Sequence, residues 1–257
     1  MRTGGLLVVT SHPDDEVLIA GGTLAACAGA GVPTAVVCLT RGESGPIAHP
    51  ALATPENLAT VRLAELRAAC AELGVEWVKC YRREDGNLRW SDGSAIVRQL
   101  IRIVEMLRPA AVITFGEDGL YYHPDHIATY ELTRRAVKRS DSSPALYRSV
   151  WPAGLMAELT SELDRRGLPA DLWDLEPDEF GTDELEGIFE LDLRAQAGRK
   201  LRALRCHRTQ IGPGHAFSAL PDDLAERYLG VEWFAAVGDT GERTWLPRIL
   251  GRATTHA

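Results

Sequence analysis

Short apolar, β-branched runs alternate with longer stretches of helical periodicity through the first half of the chain. LLVVT (6–10), TAVVCLT (34–40), EWVKCY (76–81) and AAVITFG (110–116) read as buried strands. Between them, residues 15–31, 54–74 and 94–109 carry apolar positions at helical spacing, and two of these stretches end at Gly or just before Pro. Thr54 with Pro55 behind it predicts an N-cap followed by proline at the first helical position. Strand–helix repetition of this kind predicts an α/β fold: right-handed βαβ units in a mostly parallel sheet with helices on both faces. Ligands bind such sheets at the carboxyl ends of the strands, so the loops after the strands are where chemistry is expected.

Past residue 140 the pattern weakens. A strand at 145–152, a helix at 154–167, a strand at 187–193 and a basic helix at 194–210 predict a smaller C-terminal α+β portion. Residues 1–140 are expected to form the core and 141–257 to complete the sheet and the cleft, together one compact domain. Residues 171–186 carry eight acids and no base, with Pro177 and Gly181. That segment reads as a solvated loop or as a mobile rim over the active site.

Composition narrows the function. Of 257 residues, 45% are hydrophobic, enough for a substantial core. The net charge is −8 and no basic run is interleaved with aromatics, which argues against nucleic acid or an anionic membrane as partner. The five cysteines form no C-x-x-C pair and read as reduced core thiols of a cytoplasmic protein. The apolar N-terminal run is short and followed at once by acid, so no export signal is expected, and no segment reaches the ~20 apolar residues of a membrane span.

Two turns carry the candidate chemistry. After the first strand come Ser11-His12-Pro13-Asp14-Asp15-Glu16; after the fourth come Tyr121-Tyr122-His123-Pro124-Asp125-His126. Proline at a helix start places the preceding His near the N-cap, and residues three apart share a helix face. His12 and Asp15 are therefore expected to point at one place, and His126 to join them from the second turn, with Asp14 and His123 left over. Two imidazoles and a carboxylate leave positions open for water and substrate, as in catalytic zinc sites. Acids at a helix start also cap free N–H groups and suit the macrodipole, an alternative for Asp14, Asp15 and Glu16 taken alone. The pairing of two such turns, using three of seven histidines, favours the metal.

SHPDDE and HPDH resemble the signatures of the LmbE-like, or PIG-L, family of zinc-dependent N-acetylglucosaminyl deacetylases. LTRGESG (39–45), RLAEL…LGV (62–75), REDGNL (83–88) and LRCHRTQ (204–210) are similar too, with Ser11 replacing a frequent alanine, a change expected to be harmless. The resemblance implies a Rossmann-like sheet and zinc on His12, Asp15 and His126, with Fe2+ or another divalent ion as alternatives. It implies substrates bearing N-acetylglucosamine on inositol, malate, glycolipids or antibiotic precursors, or a larger amide in some members. Arg62 and Asp85 match positions that bind sugar hydroxyls, Tyr121 one at the oxyanion site, and His207 with Gln210 a late H-x-x-Q. An Arg62–Glu65 pair and a packing role for Tyr121 are the alternatives.

The expected mechanism has Asp14 as general base and His123, as imidazolium oriented by Asp125 or another carboxylate, stabilising the oxyanion or protonating the amine. Glu43 would support ligands or substrate, and His207 and Gln210 would line the site from one helical face. Glu16 reads as an ordinary first-turn acid. His49, His215 and His256 read as surface or loop residues, His215 with possible access to the cleft. A non-haem Fe(II) enzyme or a non-catalytic sugar binder are the rivals; the H-x-x-D spacing at helix starts disfavours the first and Asp14 the second. The Ala/Arg/Gly-rich composition points to a high-GC genome, where mycothiol and aminosugar antibiotics both fit, and a chain short for the family's mycothiol enzymes favours a secondary-metabolite aminosugar.

Overall fold

The computed structural model describes residues 3–238, 241, 244–250 and 253–255. The chain alternates β1 (Leu6–Thr10), α1 (Asp15–Gly29), β2 (Thr34–Thr40), α2 (Leu58–Leu73), β3 (Trp77–Arg83), α3 (Gly93–Leu107) and β4 (Ala111–Thr114). A short distorted turn, α4 (Gly119–Tyr122), leads into α5 (Pro124–Lys138), β5 (Ala145–Val150) and α6 (Leu155–Arg165). The remainder is β6 (Ile188–Asp192), α7 (Ala197–Leu204), α8 (Asp222–Tyr228), β7 (Val231–Ala236), α9 (Trp245–Leu250) and β8 (Ala253–Thr255).

The strands form one sheet in the order β3-β2-β1-β4-β5-β7-β6-β8. The first five are mutually parallel, while the β5–β7, β7–β6 and β6–β8 pairs are antiparallel. Chain order reverses between β1 and β4, so the loops leaving those two strands flank the crevice where doubly wound sheets bind ligands. Leu7, Val9, Val37 and Val112 pack under α3 and α5, and Leu6, Val8, Val36 and Ile113 under α1, α2 and α7. This two-residue alternation buries both faces of the parallel part, which is why its strands read as continuous apolar runs. In α3 the buried positions 96, 97, 100, 103, 104 and 107 trace one helical stripe, and the Asp92 side chain caps the Ala95 N–H.

Two boundaries differ from the sequence pattern. The second helix starts at Leu58, not at Pro55: Asn57 Oδ1 takes the Thr54 N–H at 2.8 Å and closes a separate turn ahead of it. The predicted helix 194–210 is a 3-10 turn (Arg194–Gln196) followed by α7, which ends at Leu204. Beyond it Arg205 bonds the Phe217 and Leu220 carbonyls, and the chain turns so that His207 and Thr209 reach inward. The strand β7 and helices α8 and α9 were not apparent from periodicity, being short and interrupted by charge.

One of those charges organises the core. Helix α1 breaks at Ala20 (φ −153°), which frees N–H groups mid-helix. Glu232, from β7, accepts from Gly22 N at 2.7 Å, Thr23 N at 3.0 Å and Thr23 Oγ1 at 2.6 Å. Lys200 Nζ meets the same carboxylate at 2.7 Å. A Cβ on Gly21 would lie 3.1 Å from Lys200 Cγ, and one on Gly22 3.1 Å from Glu232 Oε1, so the two glycines admit this pair against the helix. Glu232→Ala is expected to lower stability by about 3–5 kcal/mol, because it orphans a buried ammonium and two amides; a urea-denaturation loss below 1 kcal/mol would contradict this account.

Candidate metal centre and catalytic cleft

The turn after β1 is held in an unusual shape. Helix α1 begins at Asp15, one residue past Asp14, so Pro13 precedes the helix instead of starting it as the sequence suggested. Asp14 is the N-cap at φ 109°, a region that costs on the order of 1–3 kcal/mol for a residue with a side chain. Its N–H bonds Glu16 Oε2 at 3.0 Å, and its carbonyl accepts from Val17 and Leu18 at 3.1 and 3.2 Å. Ser11, far from neutral filler, bonds the Asp125 carbonyl at 3.0 Å and Thr129 Oγ1 at 2.7 Å, tying this turn to α5. The second turn follows the expected design: Pro124 opens α5 and His123 is its N-cap, with Nδ1 accepting from the Asp125 N–H at 3.2 Å. Leu120 and Tyr122, at φ 68° and 60°, swing the chain into it.

The two turns bring three donor groups together. His12 Nδ1 lies 3.3 Å from Asp15 Oδ2, His126 Nε2 lies 3.2 Å from Asp15 Oδ1, and the two ring nitrogens are 3.3 Å apart. The far ring atoms are already engaged: His126 Nδ1 contacts the Gly119 carbonyl at 3.0 Å, and His12 Nε2 contacts Asp85 Oδ1 at 3.0 Å. A carbonyl only accepts, so His126 carries its hydrogen on Nδ1; His12 likewise carries one on Nε2, against a carboxylate. Both inner nitrogens then face the Asp15 carboxylate and each other, and each offers a lone pair to an ion that displaces any proton held there. Donors around a tetrahedral ion at about 2.0–2.1 Å are separated by about 3.3 Å, so the residues present fit a divalent metal. Asp15 is 2% exposed. Burial alone would raise its pKa, but His126 and His12 hold it well below the carboxylate range.

A ring of hydrogen bonds fixes these ligands. Asp125 Oδ1 accepts from Leu88 N at 3.0 Å and Oδ2 from Gly86 N at 2.8 Å, and the same Oδ2 lies 3.4 Å from His12 Nε2. Asp85 Oδ2 accepts from Ser44 N at 2.9 Å, while Glu43 takes the Asp85 N–H at 3.1 Å. Burial opposes charge on His12, yet bonds to Asp125, Asp15 and Asp85 raise its pKa well above 6.5. His12 and these carboxylates also make a second donor cluster, as do His12, His123 and His126. In the former, Asp85 and Asp125 are taken up by backbone amides and by the His12 ring hydrogen, whereas the inner nitrogens of His12 and His126 face Asp15.

Asp14 and Arg62 form the next layer. Arg62, 3% exposed, donates from Nη2 to the Pro13 carbonyl at 2.6 Å and to Asp14 Oδ2 at 3.1 Å, and from Nη1 to the Gly42 carbonyl at 2.8 Å. The Arg62–Glu65 alternative does not occur: Glu65 accepts from Thr209 N and Oγ1 instead, at 2.9 and 2.6 Å. A Cβ on Gly42, itself at φ 65°, would fall 2.2 Å from Nη1, so that glycine is required by the guanidinium. Burial pushes the Asp14 carboxyl up to about 6, against the pull of Arg62.

Three expectations about the surroundings are corrected. His123 is not held as an imidazolium by Asp125, whose carboxylate faces the other way; burial and the charges at His126 and His12 pull its pKa down to about 4. His207 does not line the cleft: it is wholly buried, with Nε2 2.8 Å from Glu16 Oε1, and it sits in a turn with Gln210, not on a helical face. Burial opposes protonation of His207, but Glu16 raises its pKa. Glu16, read as an ordinary first-turn acid, is fully buried and joins His207 to the Asp14 backbone. The late H-x-x-Q was the signal that could have exposed it. His215 is in a loop but only 2% exposed, His49 is exposed, and His256 lies outside the described residues.

The cleft is a cavity of about 350 Å³ above the three donors. Asp14, Arg62, Asp85, Tyr121, His123 and Gln210 line it. Gln210 Nε2 donates to the Pro46 carbonyl at 2.9 Å, and the Tyr121 ring stands edge-on to His126 and His123 at 5.2 and 5.7 Å. Glu43 acts from behind, through the Asp85 loop. Trp173 and Leu175 add an apolar wall from the acidic segment. Zn2+ at about 100 times its Kd is expected to stabilise the protein by about 2.7 kcal/mol, seen as a rise of a few degrees in Tm. His126→Ala should abolish that rise in a thermal-shift titration, and an unchanged response in this variant would place the ion elsewhere.

The chain is similar to several known proteins. Residues 7–137 match the family model described as PIG-L, GlcNAc-PI de-N-acetylase. A 1D-myo-inositol 2-acetamido-2-deoxy-α-D-glucopyranoside deacetylase of Actinosynnema mirum is 34% identical over 92% of this chain and 93% of its own. The Mycolicibacterium smegmatis protein of the same name is 32% identical over 93% and 92%. The chain spans nearly all of these relatives, so its length does not set it apart from them. Among solved structures, N,N'-diacetylchitobiose deacetylase from Pyrococcus horikoshii is 25% identical with a TM-score of 0.56, covering 89% of this chain and 75% of that one. The 4-carboxy-2-hydroxymuconate hydratase GalB of Pseudomonas putida, at 20% identity and a TM-score of 0.62 over 92% and 97%, shares the fold.

Proposed function

The chain belongs to the PIG-L, or GlcNAc-PI de-N-acetylase, family, and from that premise we propose that it is a metal-dependent N-deacetylase. Its substrate is an N-acetylglucosaminyl small molecule or glycoconjugate, a reading supported by relatives named for an inositol-linked acetamido sugar. The observation that carries the proposal is the triangle of inward lone pairs on His12, Asp15 and His126, with Asp14 on the adjoining residue facing the same cavity. These three residues would hold the ion. Two imidazoles and a carboxylate suit zinc, and Fe2+ takes the same donors. When bound, the ion supplies Lewis acidity, which lowers the pKa of water to about 7 and polarises a carbonyl.

Asp14 takes the proton of the attacking water. With its pKa near 6 it is largely ionised at neutral pH yet still basic enough to be useful. As the C–N bond breaks, the same carboxyl returns the proton to the leaving nitrogen, and acetate and the free amine result. His123 acts as a neutral donor: its Nδ1 is occupied as an acceptor, so the ring hydrogen sits on Nε2, available to the oxygen that gains charge. Burial keeps the Tyr121 phenol protonated, a second donor at the same wall. Arg62 positions Asp14 and, with Gln210 and Asp85, presents polar atoms to the sugar.

Residues 1–140 act as the metal-binding core and 141–257 complete the sheet and cleft, since Trp173, Leu175 and Gln210 line the cavity. Five free cysteines support a reducing compartment such as the cytoplasm; among the described residues no helix is long and apolar enough to cross a membrane.

Asp14→Asn is expected to lower kcat for acetate release by about 10²–10⁴-fold while metal content stays the same. In the wild type, activity should rise with pH through about 6 as Asp14 ionises. Arg62 lowers that pKa, so Arg62→Gln should move the inflection to higher pH; an unmoved inflection would remove Asp14 from the role of base.

A further inference from the structure

The acidic segment has an inner face. Trp173 and Leu175 point into the cavity, while the flanking Asp174 and Glu176 are exposed, and Leu172 and Phe180 anchor the segment in the core. All eight of its acids are exposed, and none forms an ion pair among the described residues. Trp173 is held rigidly. The Asp171 carboxylate accepts from Trp173 N at 3.2 Å and Asp174 N at 3.0 Å, fixing both residues at φ 56° and 60°. The Asp171 backbone pairs with Gly214 and Ala216. Beneath the indole lies the His215 ring, edge-on at 4.3 Å, itself pinned because its Nδ1 accepts from Phe217 N at 3.2 Å.

The cavity therefore has a direction. At its floor are the buried donors and Asp14, where an acetamide must sit. One side offers Arg62, Asp85 and Gln210 for hydroxyls. Trp173 and Leu175, half-buried and next to exposed acids, stand at the mouth, where the group attached to the sugar must lie. Resting on the deacetylase reading above, we propose that Trp173 and Leu175 form a subsite for the aglycone, and that this aglycone is uncharged or cationic with an apolar or C–H-rich face. Aromatic faces pack well against such groups, and an unpaired acidic rim repels phosphate or carboxylate on the same moiety.

The test uses methyl, cyclohexyl and carboxymethyl N-acetylglucosaminides for acetate release, and the corresponding free amines for calorimetric binding to the metal-loaded protein. The wild type should bind the cyclohexyl amine several-fold more tightly than the methyl amine, and the carboxymethyl amine most weakly. Trp173→Ala should weaken cyclohexyl binding about fivefold to tenfold. It should weaken binding of the methyl compound far less, and Trp173→Phe should retain most of the preference. Asp174→Asn with Glu176→Gln should recover carboxymethyl binding, as should added salt. Equal losses on methyl and cyclohexyl compounds in Trp173→Ala, or wild-type binding of the carboxymethyl compound as tight as the cyclohexyl, would overturn the subsite. Absence of acetate release from all three glycosides would instead overturn the deacetylase reading, and the amine-binding arm would still decide the subsite.

Discussion

The cleft is organised by one electrostatic constraint: lone pairs from two imidazoles and a carboxylate are pressed to within 3.2–3.3 Å of one another in a buried crevice. Without a positive charge among them this arrangement is repulsive, and burial magnifies the repulsion because the local dielectric is low. The surrounding bonds keep it from relaxing. Gly119 and Asp85 hold the outer ring atoms, and Asp125 clamps the 86–88 loop against His12. The parallel sheet makes the crevice possible, since the reversal between β1 and β4 sets two helix-opening turns side by side.

A second constraint follows from the first. Asp14 must stand beside Asp15 without becoming a ligand, and adjacent residues on a regular helix cannot be separated cleanly. The φ of 109° at Asp14 resolves this by putting the carboxylate outside the helix. Such a conformation persists only where the surroundings over-determine it. Glu16 grips the amide, Arg62 grips the Pro13 carbonyl and the Asp14 carboxylate, and His207 holds Glu16 from the core. These groups are buried, and Arg62 meets Asp14 as His207 meets Glu16. Farther along the same helix the Ala20 break hands over to the Glu232–Lys200 pair, so α1 is fastened at two points.

How far this was legible depends on range. The two H-P-D turns are local, and the strands ahead of them are unbroken apolar runs, so fold class and donor set could be read from adjacent residues. The antiparallel end of the sheet could not, because β7 carries Glu232 in mid-strand, and only the Gly22 and Thr23 amides, some 210 residues away in the chain, explain that acid. His207 failed for a similar reason: three-residue spacing suggested a helix face, but its partner Glu16 lies 191 positions earlier and pulls the chain out of the helix. His123 was misassigned because Asp125, two residues on, seemed its natural partner; backbone amides from the 86–88 loop claim that carboxylate first.

The fold alone does not select the reaction, since a hydratase shares it. What distinguishes this chain must lie in side chains at the strand ends and in the segment that closes the cleft. In that segment the acids face outward and Trp173 with Leu175 face in. The alternation is two-residue, but it is not a strand: Asp171 turns the backbone into left-handed geometry at residues 173 and 174. Asp171, Glu176 and Glu179 therefore have structural uses, as turn and cap acceptors, while none of the eight acids forms an ion pair among the described residues. A solvated loop needs no indole pinned by a buried histidine, and a loose lid would not hold two residues at positive φ. The geometry is that of a wall, apolar inside and anionic at the edge.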